Sequence, residues 1–246
     1  MKPSLLALAF SAVAFVASAL AEPAPAAAAA AKPKARPPWE REWAYFSRYR
    51  DANAQLPPPA PGEQRVVFMG DSITEMWAAD TDFFARHHYI GRGISGQTSA
   101  QMLVRFRADV IDLQPAVVVI LAGTNDIAGN GGETTLEAIE NNLRSMTELA
   151  RCHDIHVVLA SILPAVDFPW RRGLEPADKI AAVNRWIADY CQREGLVHLD
   201  YYSAMADKNR GLPPELSADG VHPTPAGFAI MAPLAEKAIA QALNQH

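Results

Sequence analysis

Val66-Val67-Phe68-Met69-Gly70-Asp71-Ser72-Ile73 is a short apolar run that ends on a glycine, an acid and a serine just where a helical pattern begins. Four apolar residues without polar alternation describe a strand buried on both faces, and such strands belong to parallel sheets whose crossover helices cover each side. Working outward, the same alternation repeats. Apolar runs at roughly 88–90, at Ala116–Leu121, Ile155–Leu163 and Leu196–Tyr201 are separated or followed by helical patterns from Ser72, over Thr98–Leu113, Thr134–Arg151, Ala177–Arg193 and Pro225–Leu243. Five strands alternating with helices predict an α/β fold built on a five-stranded parallel sheet. In such sheets ligands bind beyond the carboxyl ends of the strands, so the loops after each run are where chemistry is to be sought.

Ser72 stands in the first of those loops. Its hydroxyl projects from a strand-to-helix turn, and its own N–H is a first-turn donor with no intrahelical partner, placed to stabilise an anion forming beside it. Helix capping by Asp71 or Ser72 is the plainer reading of the same residues. A serine nucleophile needs a base, and the base an orienting acid. Of seven histidines, His222 in Asp219-Gly220-Val221-His222-Pro223 follows the last strand on the predicted active side, with Asp219 three residues before it. Thr224 and Pro225 fit a helix cap and first helical residue directly after. Two other loops supply candidate oxyanion donors, Gly96 through its backbone N–H and Asn125 through its amide, each of which reads equally well as a turn residue. Two patterns are declined. Gly91-x-Gly93-x-x-Gly96 spells a dinucleotide fingerprint but lacks a strong preceding strand and the later acid, so no cofactor is expected. Cys152-His153-x-x-His156 straddles a helix-to-strand junction without a fourth ligand, so no metal is expected.

Taken in order, Gly70-Asp71-Ser72-Ile73, Gly93-Ile94-Ser95-Gly96, Gly123-Thr124-Asn125-Asp126 and Asp219-Gly220-Val221-His222-Pro223 resemble the motif blocks of the SGNH hydrolases, the GDSL esterase/lipase family. The resemblance is strongest towards its platelet-activating-factor acetylhydrolase-like and carbohydrate acetylesterase branch. It implies a flavodoxin-like three-layer α/β/α sandwich, Ser72 as nucleophile, His222 as base, Asp219 as its partner, and Ser72, Gly96 and Asn125 as the oxyanion hole. It implies hydrolysis of carboxylic esters on small molecules or carbohydrates, and the 208 residues after the leader and linker, which leave no segment for a lid, favour short-chain and above all acetyl esters. Lysophospholipase or thioesterase action on longer acyl chains is the alternative, and a binding module without turnover a third reading. Trp77, Phe168, Trp170, Arg171 and Arg172 are the residues expected to shape substrate choice, the last four within the loop Pro164–Pro176.

The 246 residues divide unevenly. Met1-Lys2, the apolar run Leu5–Val16 and Ala19-Leu20-Ala21 read as a cleavable signal peptide over 1–21, hence a periplasmic or secreted protein with no lasting membrane span. Residues 22–38, nearly all Ala, Pro, Lys and Arg, read as a disordered linker. The hydrolase domain is expected over 39–246, opening with an amphipathic helix over Trp39–Asn53 and a Pro-rich loop to residue 64. That domain carries a net charge of −8, which disfavours nucleic acid as a partner. Cys152 and Cys191, each expected at the end of a helix, are permitted a disulfide if the helices lie side by side.

Overall fold

The computed structural model describes residues 42–245; the expected signal peptide, the linker and residues 39–41 lie outside them. In chain order the elements are α1 (Arg50–Gln55), β1 (Val66–Gly70), α2 (Ser72–Asp80), α3 (Phe83–His87), β2 (Ile90–Gly93), α4 (Ser99–Asp109), β3 (Val117–Ile120), α5 (Thr124–Ile127), α6 (Leu136–Arg151), β4 (His156–Ala160), α7 (Ala177–Glu194), β5 (Val197–Leu199), α8 (Tyr201–Met205) and α9 (Pro225–Leu243). All strand pairings are parallel and the spatial order is β2-β1-β3-β4-β5. The chain runs outward from β1 to β2 and then returns past β1 to β3. The winding therefore reverses between β1 and β3, and a crevice opens beyond their carboxyl ends.

Alternate strand residues face opposite layers. Val67, Met69, Val118, Ile120, Val157 and Leu159 pack with α4, α6 and α7 through Met102, Phe106, Leu143 and Ile187. Val66, Phe68, Val117, Val119 and Val158 pack on the other side with α2, α3 and α9 through Trp77, Phe83, Phe228 and Met231. Two apolar layers on one sheet are what the uninterrupted Val/Ile runs required, and they make the three-layer sandwich.

Two expectations need revision, and the pairing left open for the cysteines is not made. The N-terminal aromatic stripe does not form one helix: Tyr45 adopts φ 52°, among the described residues of the stripe helix begins only at Arg50 and runs to Gln55, and Trp43 and Phe46 stay exposed. That segment is held through its backbone instead, with Gln97 donating to the Ala44 carbonyl and Gln101 to that of Trp43. The second strand lies at Ile90–Gly93 rather than 88–90, so the first two glycines of the fingerprint, Gly91 and Gly93, are strand residues. A Cβ on Gly93 would stand 2.3 Å from the Glu75 nitrogen and 2.6 Å from the Asp71 carbonyl oxygen, so glycine here lets α2 lie close against β2. Cys152 and Cys191 are both free, the first exposed and the second buried. Burial pushes the Cys191 thiol up to about 12, leaving it protonated and unreactive.

Candidate active site

The crevice between β1 and β3 gathers the loops singled out from the sequence. Asp71 caps α2 by accepting from the Ile73 N–H at 3.0 Å, which turns the chain sharply and leaves Ser72 as the first helical residue. Ser72 Oγ lies 2.8 Å from His222 Nε2, and His222 Nδ1 lies 2.6 Å from Asp219 Oδ2. An ionised carboxylate only accepts, so Nδ1 carries the proton and Nε2 presents its lone pair to the serine hydroxyl. Asp219 Oδ1 also accepts from Ser217 Oγ and from the N–H groups of Val221 and His222, at 2.8–3.1 Å. Partial burial raises this carboxyl, but the His222 ring and those N–H groups outweigh it and draw it down to about 2. Thr224 then caps α9, accepting from Gly227, with Pro225 in its first turn, so one loop holds both Asp219 and His222 and the helix entry anchors it.

The oxyanion candidates converge beside Ser72. Ile94-Ser95-Gly96-Gln97 is a turn closed by Gln97 N–H to the Ile94 carbonyl at 3.2 Å, and Gly96 takes the φ of +78° that this turn requires. Among the described residues no acceptor takes the N–H of Gly96 or of Ser72. Glu75, one turn along α2 from Ser72, accepts from the Ser95 N–H at 2.8 Å and from its hydroxyl, which ties the Gly96 turn to the helix that Ser72 opens. The Asn125 amide nitrogen faces Asp71 Oδ2 at 3.2 Å and the Gln97 carbonyl at 3.1 Å. Behind these groups the fully buried Arg105 pairs with Asp109 at 2.8 Å and donates to Gln97 Oε1 and to the Gly70 and Arg92 carbonyls. Burial also pushes the Asp71 carboxyl up to about 6, against the pull of the Ile73 N–H and the His222 ring.

A cavity of about 370 Å³ is lined by Ser72, Met76, Ser95, Gly96, Asn125, Asn130, Trp170 and His222. Of the five residues expected to shape the substrate, only Trp170 reaches it. Trp77 is 2% exposed and stacks between Phe83 and Phe228 in the core. Five residues beyond Ser72 on a helix is the far face, whereas Met76, four beyond, shares the serine's face. Phe168 is fully buried beneath Trp170 at 5.3 Å. Arg171 turns to the Ala128 and Gly129 carbonyls and lines a neighbouring cavity, and Arg172 pairs with Asp167 at the surface. Met76, Asn130, Glu75 and Arg105 were missed. The spacing of Met76 and Glu75 from Ser72 was the available signal for those two.

The sequence model of the GDSL-like lipase/acylhydrolase family matches residues 68–230. A GDSL-like lipase from Bacteroides thetaiotaomicron is 48% identical, with TM-score 0.79 over 82% of this chain and 100% of its own. The esterase TesA of Pseudomonas aeruginosa is 27% identical over 173 residues, 65% of this chain and 80% of that protein. An acetylxylan esterase from Geobacillus stearothermophilus shares the fold, with 20% identity and TM-score 0.59 over 72% of this chain and 94% of its own. This chain belongs to the GDSL-like lipase/acylhydrolase family and is, with it, a carboxylic ester hydrolase.

Proposed function

We propose that the protein is a metal-independent serine esterase exported from the cytoplasm and acting on short-chain, chiefly acetyl, esters of small molecules or carbohydrates. The observation that carries this reading is the unbroken series Ser72 Oγ, His222 Nε2, His222 Nδ1, Asp219 Oδ2 at 2.8 and 2.6 Å. Ser72 Oγ attacks the acyl carbonyl carbon as its proton passes to Nε2. The carbonyl oxygen becomes an oxyanion met by the Ser72 and Gly96 N–H groups and by the Asn125 amide, which turns one of its two N–H groups from Asp71 or the Gln97 carbonyl to do so. Collapse breaks the ester C–O bond, and the alcohol leaves with the proton from His222. Water then repeats the sequence on the acyl-enzyme, releasing the acid and restoring Ser72.

The acetyl preference rests on the cavity. About 370 Å³ is at the small end of ligand pockets, and it must hold both sides of the scissile bond. Trp170, 44% exposed and 6.1 Å from the His222 ring, offers a flat apolar face to the alcohol half, as a sugar ring would need. An ester panel tests this: kcat/KM is expected to fall from acetyl to octanoyl on a common alcohol, and to be higher on acetylated oligosaccharides than on acyl glycerols. Rates that rise with acyl length refute the acetyl assignment in favour of a lysophospholipase or thioesterase. Export is checked by N-terminal sequencing of the mature protein, which is expected to begin at Glu22; an intact Met1 refutes it.

A further inference from the structure

Asn125 can stabilise an oxyanion only if its nitrogen, and not its oxygen, faces Ser72. A chain of hydrogen bonds decides which. Trp170 Nε1 donates to Asn130 Oδ1 at 2.9 Å, and Asn130 Nδ2 donates to Asn125 Oδ1 at 2.6 Å. An indole N–H is a donor and nothing else. It therefore demands the oxygen of Asn130, which leaves that residue's nitrogen for Asn125, which in turn demands Asn125's oxygen. The Asn125 nitrogen is thereby directed to the opposite side, between Asp71 and Gln97, the neighbours of Ser72 and Gly96. The reverse polarity would set the Asn125 oxygen against a carboxylate and a carbonyl.

The head of the chain is itself held. Trp170 stacks on the fully buried Phe168. The next residue, Arg171, donates one nitrogen to the Ala128 and Gly129 carbonyls, the two residues before Asn130. Arg171 N–H closes the turn on the Phe168 carbonyl at 3.0 Å. The 168–171 turn thus grips the 128–130 loop at three hydrogen bonds.

Resting on the esterase reading above, we infer that Trp170 and Asn130 are positioning residues of the oxyanion hole, the indole N–H setting the orientation of the Asn125 amide through Asn130. The segment expected only to choose substrates also orients a catalytic donor.

The test is a double-mutant cycle on the full chain, with kcat and KM measured on p-nitrophenyl acetate and folding followed by thermal melting. Trp170→Phe keeps the ring wall and the stacking but removes the N–H. It is expected to lower kcat about 3–10-fold, the worth of one hydrogen bond, with KM within about twofold. Asn130→Ala is expected to cost about 10-fold or more, and Asn125→Ala about 10²–10³-fold. In the Asn125→Ala background, Trp170→Phe is expected to change kcat by less than about twofold, because its target is gone. A slow Asn125→Ala enzyme beside a Trp170→Phe enzyme of wild-type kcat overturns the relay and leaves the oxyanion reading standing. A full-size Trp170→Phe effect in the Asn125→Ala background also overturns it. Asn125→Ala at wild-type kcat refutes the oxyanion reading and the relay with it. Should Asn130→Ala fail to fold, the Trp170→Phe cycle decides alone.

Discussion

Replacing Asp219 by Asn changes two atoms' worth of chemistry and nothing else in the loop. The new side-chain oxygen can still accept from Ser217, Val221 and His222, the bonds that Oδ1 accepts now, so the turn survives. The new NH₂, however, meets His222 Nδ1 at the position where Oδ2 stands 2.6 Å away. Two donors cannot share that contact. The imidazole is driven to the tautomer protonated at Nε2, which points a proton instead of a lone pair at Ser72. The carboxylate's charge is lost as well. At an effective dielectric of about 20, unit charges 2.6 Å apart attract by about 6 kcal/mol. Because the Asp219 side chain is 38% exposed, solvent screening reduces this to about 3 kcal/mol, or about 10²-fold in the rate of forming the imidazolium. With the tautomer reversed in addition, kcat is expected to drop about 10³–10⁴-fold. The assay is steady-state turnover of p-nitrophenyl acetate beside a thermal melt. A variant with unchanged melting and kcat within about tenfold of wild type refutes the assignment of Asp219 as the orienting acid.

Other consequences follow from the groups behind the site. Arg105→Met strands Asp109, Gln97 and two carbonyls in the interior and is expected to cost about 3–5 kcal/mol by urea denaturation; a loss below about 1 kcal/mol would contradict the role given to that guanidinium. Asp71, with its carboxyl raised from 3.8 to about 6 by burial, binds its proton more tightly folded than unfolded. Its contribution is therefore present below pH 4 and is lost as pH rises towards 6, by about 3 kcal/mol in the limit. The stability of Asp71→Asn relative to wild type should accordingly climb from pH 4 to 6 in urea titrations, and a difference independent of pH contradicts the raised carboxyl. Asp219 has the opposite sign: held down to about 2, its contribution is present above pH 4 and disappears as pH falls through 2.

What the sequence reveals, and where it is silent, follows from how each residue earns its place. Val117–Ile120 and Val66–Met69 are apolar throughout because both faces are covered, so the sheet was visible. Ile90–Gly93 was misplaced because Gly91 and Gly93 carry no hydrophobic signal; their contribution is the space they leave for α2. Trp43, Phe46 and Tyr49 have helical spacing, but the left-handed Tyr45 breaks the pattern: Trp43 and Phe46 stay exposed, while Tyr49 is partly covered and donates its hydroxyl to the Gly93 carbonyl. Arg105 looks like a surface residue between Val104 and Phe106, since its partners come from four separate segments. Ser72, Asp219 and His222 were readable as candidates because Ser72 opens α2 and Asp219 and His222 stand in the loop that leads into α9, on the side of the sheet where its strands end. Asn130 and Trp170 gave no such sign: their relation spans 40 residues and exists only once the 168–171 turn is seated on the 128–130 loop.

In the proposed mechanism Ser72 is the group that becomes acylated. Incubating the protein with an activated fluorophosphonate and mapping the adduct by peptide mass spectrometry tests this directly. One adduct is expected, on the peptide containing Ser72, with ester cleavage lost in proportion to labelling and both abolished in Ser72→Ala. An adduct on another residue that tracks the loss of activity, or full turnover by Ser72→Ala, would contradict it.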